Sequence, residues 1–222
     1  MQIDRRLFLG SVVAAASHPV VPAWGSLSSF TVINTEAIRA ICYAFSRIAW
    51  LRAPSIVSID GKHWTVCSDQ RVIIAVRGRQ EFGVELDCET DRALAVRQLR
   101  PFLRPECRGT QATTLDELRR WCRMAPYFSS EDEFERFEKN VGTIGECYFN
   151  RDLMLRTLLV LDSPSPVQLT PNAVSTAMQI VGRDFAIYVM PLASCPENAC
   201  LCPPFEAKRS LGCSDLRRFA LD

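Results

Sequence analysis

The stretch CYFNRDLMLRTLLVLD, from Cys147 to Asp162, decides how this chain is read. It starts as a strand, because Gly145 to Phe149 (GECYF) runs through small, aromatic and sulfur side chains. Asn150 then offers the short side-chain acceptor of a helix N-cap, and Asp152 suits the positive end of the helix dipole. Met154, Leu158 and Leu161 recur at helical spacing, with Leu155 and Leu159 widening the stripe. Pro164 and Pro166 end the helix. Three strand-like runs follow, VQLT, TAMQIV and DFAIYVMPL, and Gly182-Arg183 turns between the last two.

The same plan stands upstream. FTVI (Phe30 to Ile33) reads as a short strand, and Asn34 or Thr35 can cap a helix after it. Ile38, Ile41, Phe45 and Ile48 predict one apolar stripe on that helix, with Pro54 as its stop. SIVSI alternates as a strand, Asp60-Gly61 supplies a tight hairpin turn, and HWTVCS, RVIIAVRG and FGVELD continue the sheet. So strand, helix and several strands occur twice. Each helix has one apolar face and each sheet needs a cover. The economical arrangement packs the two units side by side, with strands shared in antiparallel sheets and both helices on one face. The expected class is α+β: one domain of two β-α-β-β-β units.

Between the units, about 88–140 is a charged insertion of helical texture. TTLDELRRWCRMA reads as a helix with a Thr cap. SSEDEFERFEK reads as a helix opening on a capping box of Ser130 and Glu133. Its carboxylates, Glu131, Asp132, Glu133, Glu135 and Glu138, read as a solvated helix face rather than a metal site.

The chain has 222 residues, 48% of them hydrophobic, and a formal charge of +1. That excludes a disordered chain and gives no global electrostatic case for nucleic acid, while leaving room for a local patch. Arginine outnumbers lysine heavily, as in proteins from GC-rich genomes; the lysines are Lys62, Lys139 and Lys208. At the N-terminus, Arg5-Arg6 precede an apolar run from Leu7 to Ala16, and Pro19 and Pro22 break it. This layout matches a twin-arginine export leader over 1–27, with Val21-Pro22-Ala23 as a cleavage point. Export through that pathway is one expectation. A cytoplasmic protein with an ordinary amphipathic N-terminus is the other. The remaining organisation is a domain over 28–194 and a cysteine-containing tail over 195–222. Beyond the N-terminus no run approaches membrane-spanning length, so no membrane is expected for the mature form.

There are 10 cysteines. Cys42 and Cys67 fall at apolar positions and read as small buried hydrophobes. The tail CPENACLC, with Cys213 beyond it, is the one dense cluster. Cys195, Cys200, Cys202 and Cys213 are weak zinc candidates, because their spacing lacks paired knuckles; disulfides or free thiols fit better. No glycine-rich phosphate loop or Gly-x-Ser-x-Gly elbow is present. His63 and Cys67 share a strand face near Asp60 and Asp69, yet a cysteine there reads as packing. No catalytic residue, resident metal or cofactor is assigned, and an enzyme is not expected.

Two segments carry a resemblance. CYFNRDLMLRTLLVLD and the final strand DFAIYVMPL resemble the closing half of a domain of the bacterial DNA sliding clamp, the beta subunit of DNA polymerase III. IDGKHWTVCSDQRVIIAVRG resembles the clamp's paired strands. The match covers roughly 30–87 and 141–192; the stretch 88–140 is longer than the family's connection, and the cysteine tail is foreign to it. The resemblance implies a single clamp-like domain in a non-enzymatic, replication-associated scaffold. The family encircles duplex DNA, and its helices meet phosphates through basic side chains. Carried onto this sequence, the candidate DNA-binding residues are Arg39 and Arg47 on the first helix and Arg151 and Arg156 on the second. A family chain carries three such domains and dimerises into a ring. The present sequence contains one, so self-association or another clamp-like chain is the implied partner beside DNA. The alternative is an exported, disulfide-stabilised binding domain that kept the fold without DNA.

Overall fold

The computed structural model describes residues 32–43, 45–103, 111–124, 130–162, 166–171, 177–207 and 209–210. The leader expected over 1–27, Cys107 and Cys213 lie outside the described residues.

The first unit begins with β1 (Val32–Ile33) and α1 (Thr35–Arg39), the latter capped by Asn34, whose side chain accepts from the Ala37 amide at 3.1 Å. A second short helix, α2 (Ala49–Arg52), precedes β2 (Ser55–Ile59), β3 (Lys62–Ser68), β4 (Val72–Arg77) and β5 (Val84–Glu85). Asp60 and Gly61 both take positive φ, +50° and +75°, which is the primed turn that a two-residue hairpin requires.

The insertion supplies α3 (Glu89–Leu99), β6 (Gln111–Thr114), α4 (Leu115–Arg123) and α5 (Glu133–Lys139). It is therefore not purely helical. The second unit runs through β7 (Asn140–Ile144), β8 (Cys147–Asn150), α6 (Arg151–Leu158), β9 (Leu161–Asp162), β10 (Pro166–Thr170), β11 (Met178–Val181) and β12 (Phe185–Val189). The tail adds β13 (Cys200–Leu201) and β14 (Arg209–Ser210).

Nine strands form one sheet in the order β14-β6-β10-β11-β12-β4-β3-β2-β5. The two units meet at β4 and β12, which pair antiparallel from Phe185 opposite Val76 to Val189 opposite Val72. This is the shared sheet expected of two adjacent units. Pairing is not antiparallel throughout, because β5 joins β2 parallel and β13 joins β7 parallel.

Both seam strands are buried on both faces, and their side chains alternate between two cores. Val72, Ile74 and Val76 of β4, with Phe185, Ile187 and Val189 of β12, face a core shared with α1, α4 and α6. Ile73, Ala75, Ala186 and Tyr188 face the opposite core, covered by α2 and α3 through Trp50, Leu51, Ala95 and Leu99. The Trp50 indole donates to Gln98 Oε1 at 3.0 Å and joins those two helices. The helices of the two units, α1 and α6, thus lie on one face, while the insertion covers both.

Two expected helices end early. The stripe Ile38, Ile41, Phe45, Ile48 does not lie on one helix. After α1 the chain bends, the Tyr43 amide donating to Leu51 O at 2.8 Å, and crosses toward the other face. Ile38 and Ile41 pack in the first core and Ile48 against the second, while Phe45 is 90% exposed. Likewise α6 stops at Leu158. Leu161 instead pairs with Ile33 in the β1–β9 ribbon, and the Asn34 amide donates to Val160 O at 2.8 Å. The cap of α5 is Asp132 rather than Ser130, since the Asp132 carboxylate accepts from the Phe134 and Glu135 amides. The Thr cap of α4 stands as a full capping box between Thr114 and Glu117.

Candidate nucleic-acid interface

The α1, α4 and α6 layer is where phosphate contacts are sought. Asn150 starts α6 by accepting the Leu153 amide at 2.6 Å, and Asp152 sits in the first turn. Helices α4 and α6 pack directly, joined by two arginines that reach in opposite directions. Arg119 on α4 donates to the Leu158 carbonyl at 2.8 Å and to the Leu161 carbonyl, at the C-terminal end of α6. Arg151 on α6 donates to Trp121 O at 2.9 Å and to Met124 O, at the C-terminal end of α4. Each helix thus places a cation on the carbonyl-rich end of the other, where the dipole favours positive charge.

Trp121 is the centre of this joint. Its indole donates to Pro203 O at 2.9 Å, its ring meets Phe205 edge-on at 5.8 Å, and the Arg151 guanidinium lies 5.9 Å from its centroid. Gly142 permits the approach: a Cβ there would fall 2.4 Å from Trp121 Cζ2. The tail is consequently part of the core. Cys202 and Phe205 are buried, and the Cys202 amide donates to Val141 O at 3.0 Å.

The four candidate arginines separate. Arg151 is corrected: it is 0% exposed and holds carbonyls inside the protein, so it cannot reach phosphate in this fold. Arg47 is exposed but does not belong to the first helix; it lies in the bend between the two faces. Arg39 is the last residue of α1. Arg156 is exposed on α6 and paired with Asp152 at 3.1 Å, one helical turn back. Sequence reasoning missed Arg119 and Arg123. With Asp116 they form an i, i+3, i+7 stripe on α4, lining an open cleft with Ile33, Asn34, Leu159 and Leu161. The spacing was legible; that α4 lies beside α6 was not. Arg119 is committed to α6 and to Asp116 at 2.8 Å, whereas Arg123 is exposed.

The 8 described cysteines are free thiols. Burial pushes the Cys122 thiol up to about 12, partly opposed by the Arg151 charge. Burial likewise raises Cys42 to about 11 and Cys67 well above its ordinary value. Cys88, exposed at the N-cap of α3, is lowered, first by the Asp91 amide and then by Thr90. Among the described residues no group of 3 or more His, Cys, Asp or Glu side chains gathers as metal ligands would, so Cys195, Cys200 and Cys202 do not form a set.

No protein-family model and no curated protein matches the chain. Solved structures do. The DNA polymerase III beta subunit of Pseudomonas aeruginosa is 12% identical, with 81% of this chain and 69% of that one covered and a TM-score of 0.46. The C. crescentus beta sliding clamp is 13% identical, with 81% and 70% covered and a TM-score of 0.46. The Helicobacter pylori beta clamp, solved with a DNA ligase peptide, is 11% identical, with 71% and 62% covered and a TM-score of 0.44. All three are bacterial sliding clamps or clamp beta subunits.

Proposed function

We propose that the protein is a non-enzymatic, clamp-type scaffold that rests on duplex DNA through its helical layer. The observation that carries this is the doubled unit, joined at β4 and β12 with α1 and α6 on one face. Arg120 and Arg123 on α4 and Arg156 on α6 are exposed, Arg47 is exposed in the bend, and Arg39 ends α1. With few exposed cations and a near-neutral chain, binding is weak, indifferent to sequence and readily screened by salt. Gel shift and cosedimentation with duplex DNA at low ionic strength test it. The expected result is an affinity that falls with salt, and the double variant Arg123→Ser/Arg156→Ser flattens the log–log slope by about 2. No binding at low salt overturns the reading.

A second reading is favoured by the cysteines. Here the leader is removed on export and the fold serves as a binding domain away from DNA. Intact mass with cell fractionation separates the two: a species starting near Trp24 in the exported fraction supports the second, and a full-length cytoplasmic species supports the first.

A further inference from the structure

Phe45 is the most exposed large apolar side chain among the described residues. Its backbone is nonetheless braced on both sides. Before it, the Tyr43 amide is tied to Leu51 O. After it, Ser46 is buried, its amide donating to Tyr43 O at 2.9 Å and its Oγ accepting the Ile48 amide at 3.1 Å. The bend is thus a fixed knob with a phenyl ring at its tip. Arg47, also exposed, has no ion pair among the described residues. A hole of matching chemistry lies elsewhere on the same molecule. Between α4 and the tail is a cleft of about 440 Å³, floored by buried Trp121 and Phe205 and walled by Met124, Pro203 and Pro204. Met124 is 45% exposed there. Glu117, Arg120 and Glu206 stand at its rim. Glu117 is engaged by Thr113 and Thr114, whereas Glu206 is exposed with no ion pair among the described residues. Phe45 does not line the cleft of its own chain, so knob and cleft meet only between copies.

We propose that the Phe45–Arg47 knob of one copy seats in the Trp121 cleft of a second copy, with Phe45 on the apolar floor and Arg47 paired with Glu206. The contact is heterologous: each copy offers a knob on one side and a cleft on another, so copies add head to tail. A desolvated aromatic ring and an arginine are the side chains that anchor protein interfaces, and a cleft of aromatic, methionine and proline side chains is the surface that receives them. Removal of the ring from water drives the contact, and the ion pair sets its orientation. Arg120 on the same rim repels a second cation and so holds Arg47 to the Glu206 side. One aromatic anchor and one exposed ion pair make a small interface, so association is weak, and salt screens only the charged part of it. The inference rests on these two surfaces and not on the DNA reading, and it is tested without DNA.

The test is sedimentation velocity of the full chain from about 1 μM to about 1 mM, where the weight-average mass is expected to rise with concentration. Phe45→Ser and Met124→Glu, both at exposed side chains, are each expected to weaken association at least about tenfold at an unchanged thermal midpoint. Glu206→Arg is a second cleft-side variant should Met124→Glu fail to fold. Phe45→Ser keeps its cleft and Met124→Glu keeps its knob, so an equimolar mixture is expected to form a dimer of one copy of each and nothing larger. Arg47→Glu weakens association, and Glu206→Arg in the same chain restores it. A wild type that stays monomeric, association that survives either single substitution, a mixture that stays monomeric, or an Arg47→Glu loss without that rescue overturns the proposal. A chain ending at Ser210 that associates where the full chain does not assigns the cleft to residues 211–222, and overturns it as well.

Discussion

An arginine with no solvent exposure at the first position of a helix needs an account of its charge. At Arg151 that charge is met by two main-chain carbonyls and an indole face. Replacing it leaves the carbonyls of Trp121 and Met124 without their donor, so Arg151→Met is expected to lower unfolding stability by about 3 kcal/mol. Arg123→Met, at an exposed side chain near the end of α4, is expected to stay within about 0.5 kcal/mol. Urea unfolding of both variants checks the contrast. Cys122 makes a pH prediction. Its folded pKa of about 12 lies above its unfolded value, so its contribution is complete below the ordinary cysteine range and is lost as pH rises toward 12. Wild type should therefore lose stability faster than Cys122→Ala over that alkaline window, by up to about 1.4 kcal/mol per pH unit. Neither property was legible in the sequence. The sequence places Arg151 on the second helix, but its burial depends on a helix that arrives from 30 residues away in the chain.

Among the elements, caps and strand alternation were the legible part. Asn34, Thr114 and Asn150 stand at the helix starts their side chains predict, and Asn150→Ala is expected to cost about 1 kcal/mol, read as a shift in the denaturation midpoint at unchanged slope. Ser130 was misread because Asp132, two residues on, competes better: its carboxylate takes two amides, while the Ser130 hydroxyl bonds Glu135. The first-helix stripe failed for a different reason. Periodicity reports that residues are buried, not which side of a sheet buries them. Ile41 and Ile48 are both core residues or packed on core, yet on opposite faces, and the chain between them cannot remain helical. The candidate interface was less legible than the fold for the same reason: exposure of an arginine is settled by the helices packed around it.

For the whole molecule, the doubled plan was readable and the role of the tail was not. Nothing in CPENACLC announces that the chain just beyond it completes the pocket around Trp121. Removing the chain from Cys195 onward is expected to lower the thermal midpoint and increase binding of a hydrophobic dye, since loss of Phe205 alone is worth about 3 kcal/mol. An unchanged midpoint would show that the tail only rests on the surface. The same joint bears on biosynthesis. Trp121 and the Pro203 carbonyl that receives its indole proton are 82 residues apart. At ~5–20 residues per second, the ribosome takes roughly 4–16 s between them. For the later part of that interval, once α6 has followed α4, the joint has its arginines in hand but an open side at Trp121. The nascent chain is then open to chaperones at this joint, and the segment carrying Pro203 and Phe205 is what closes it.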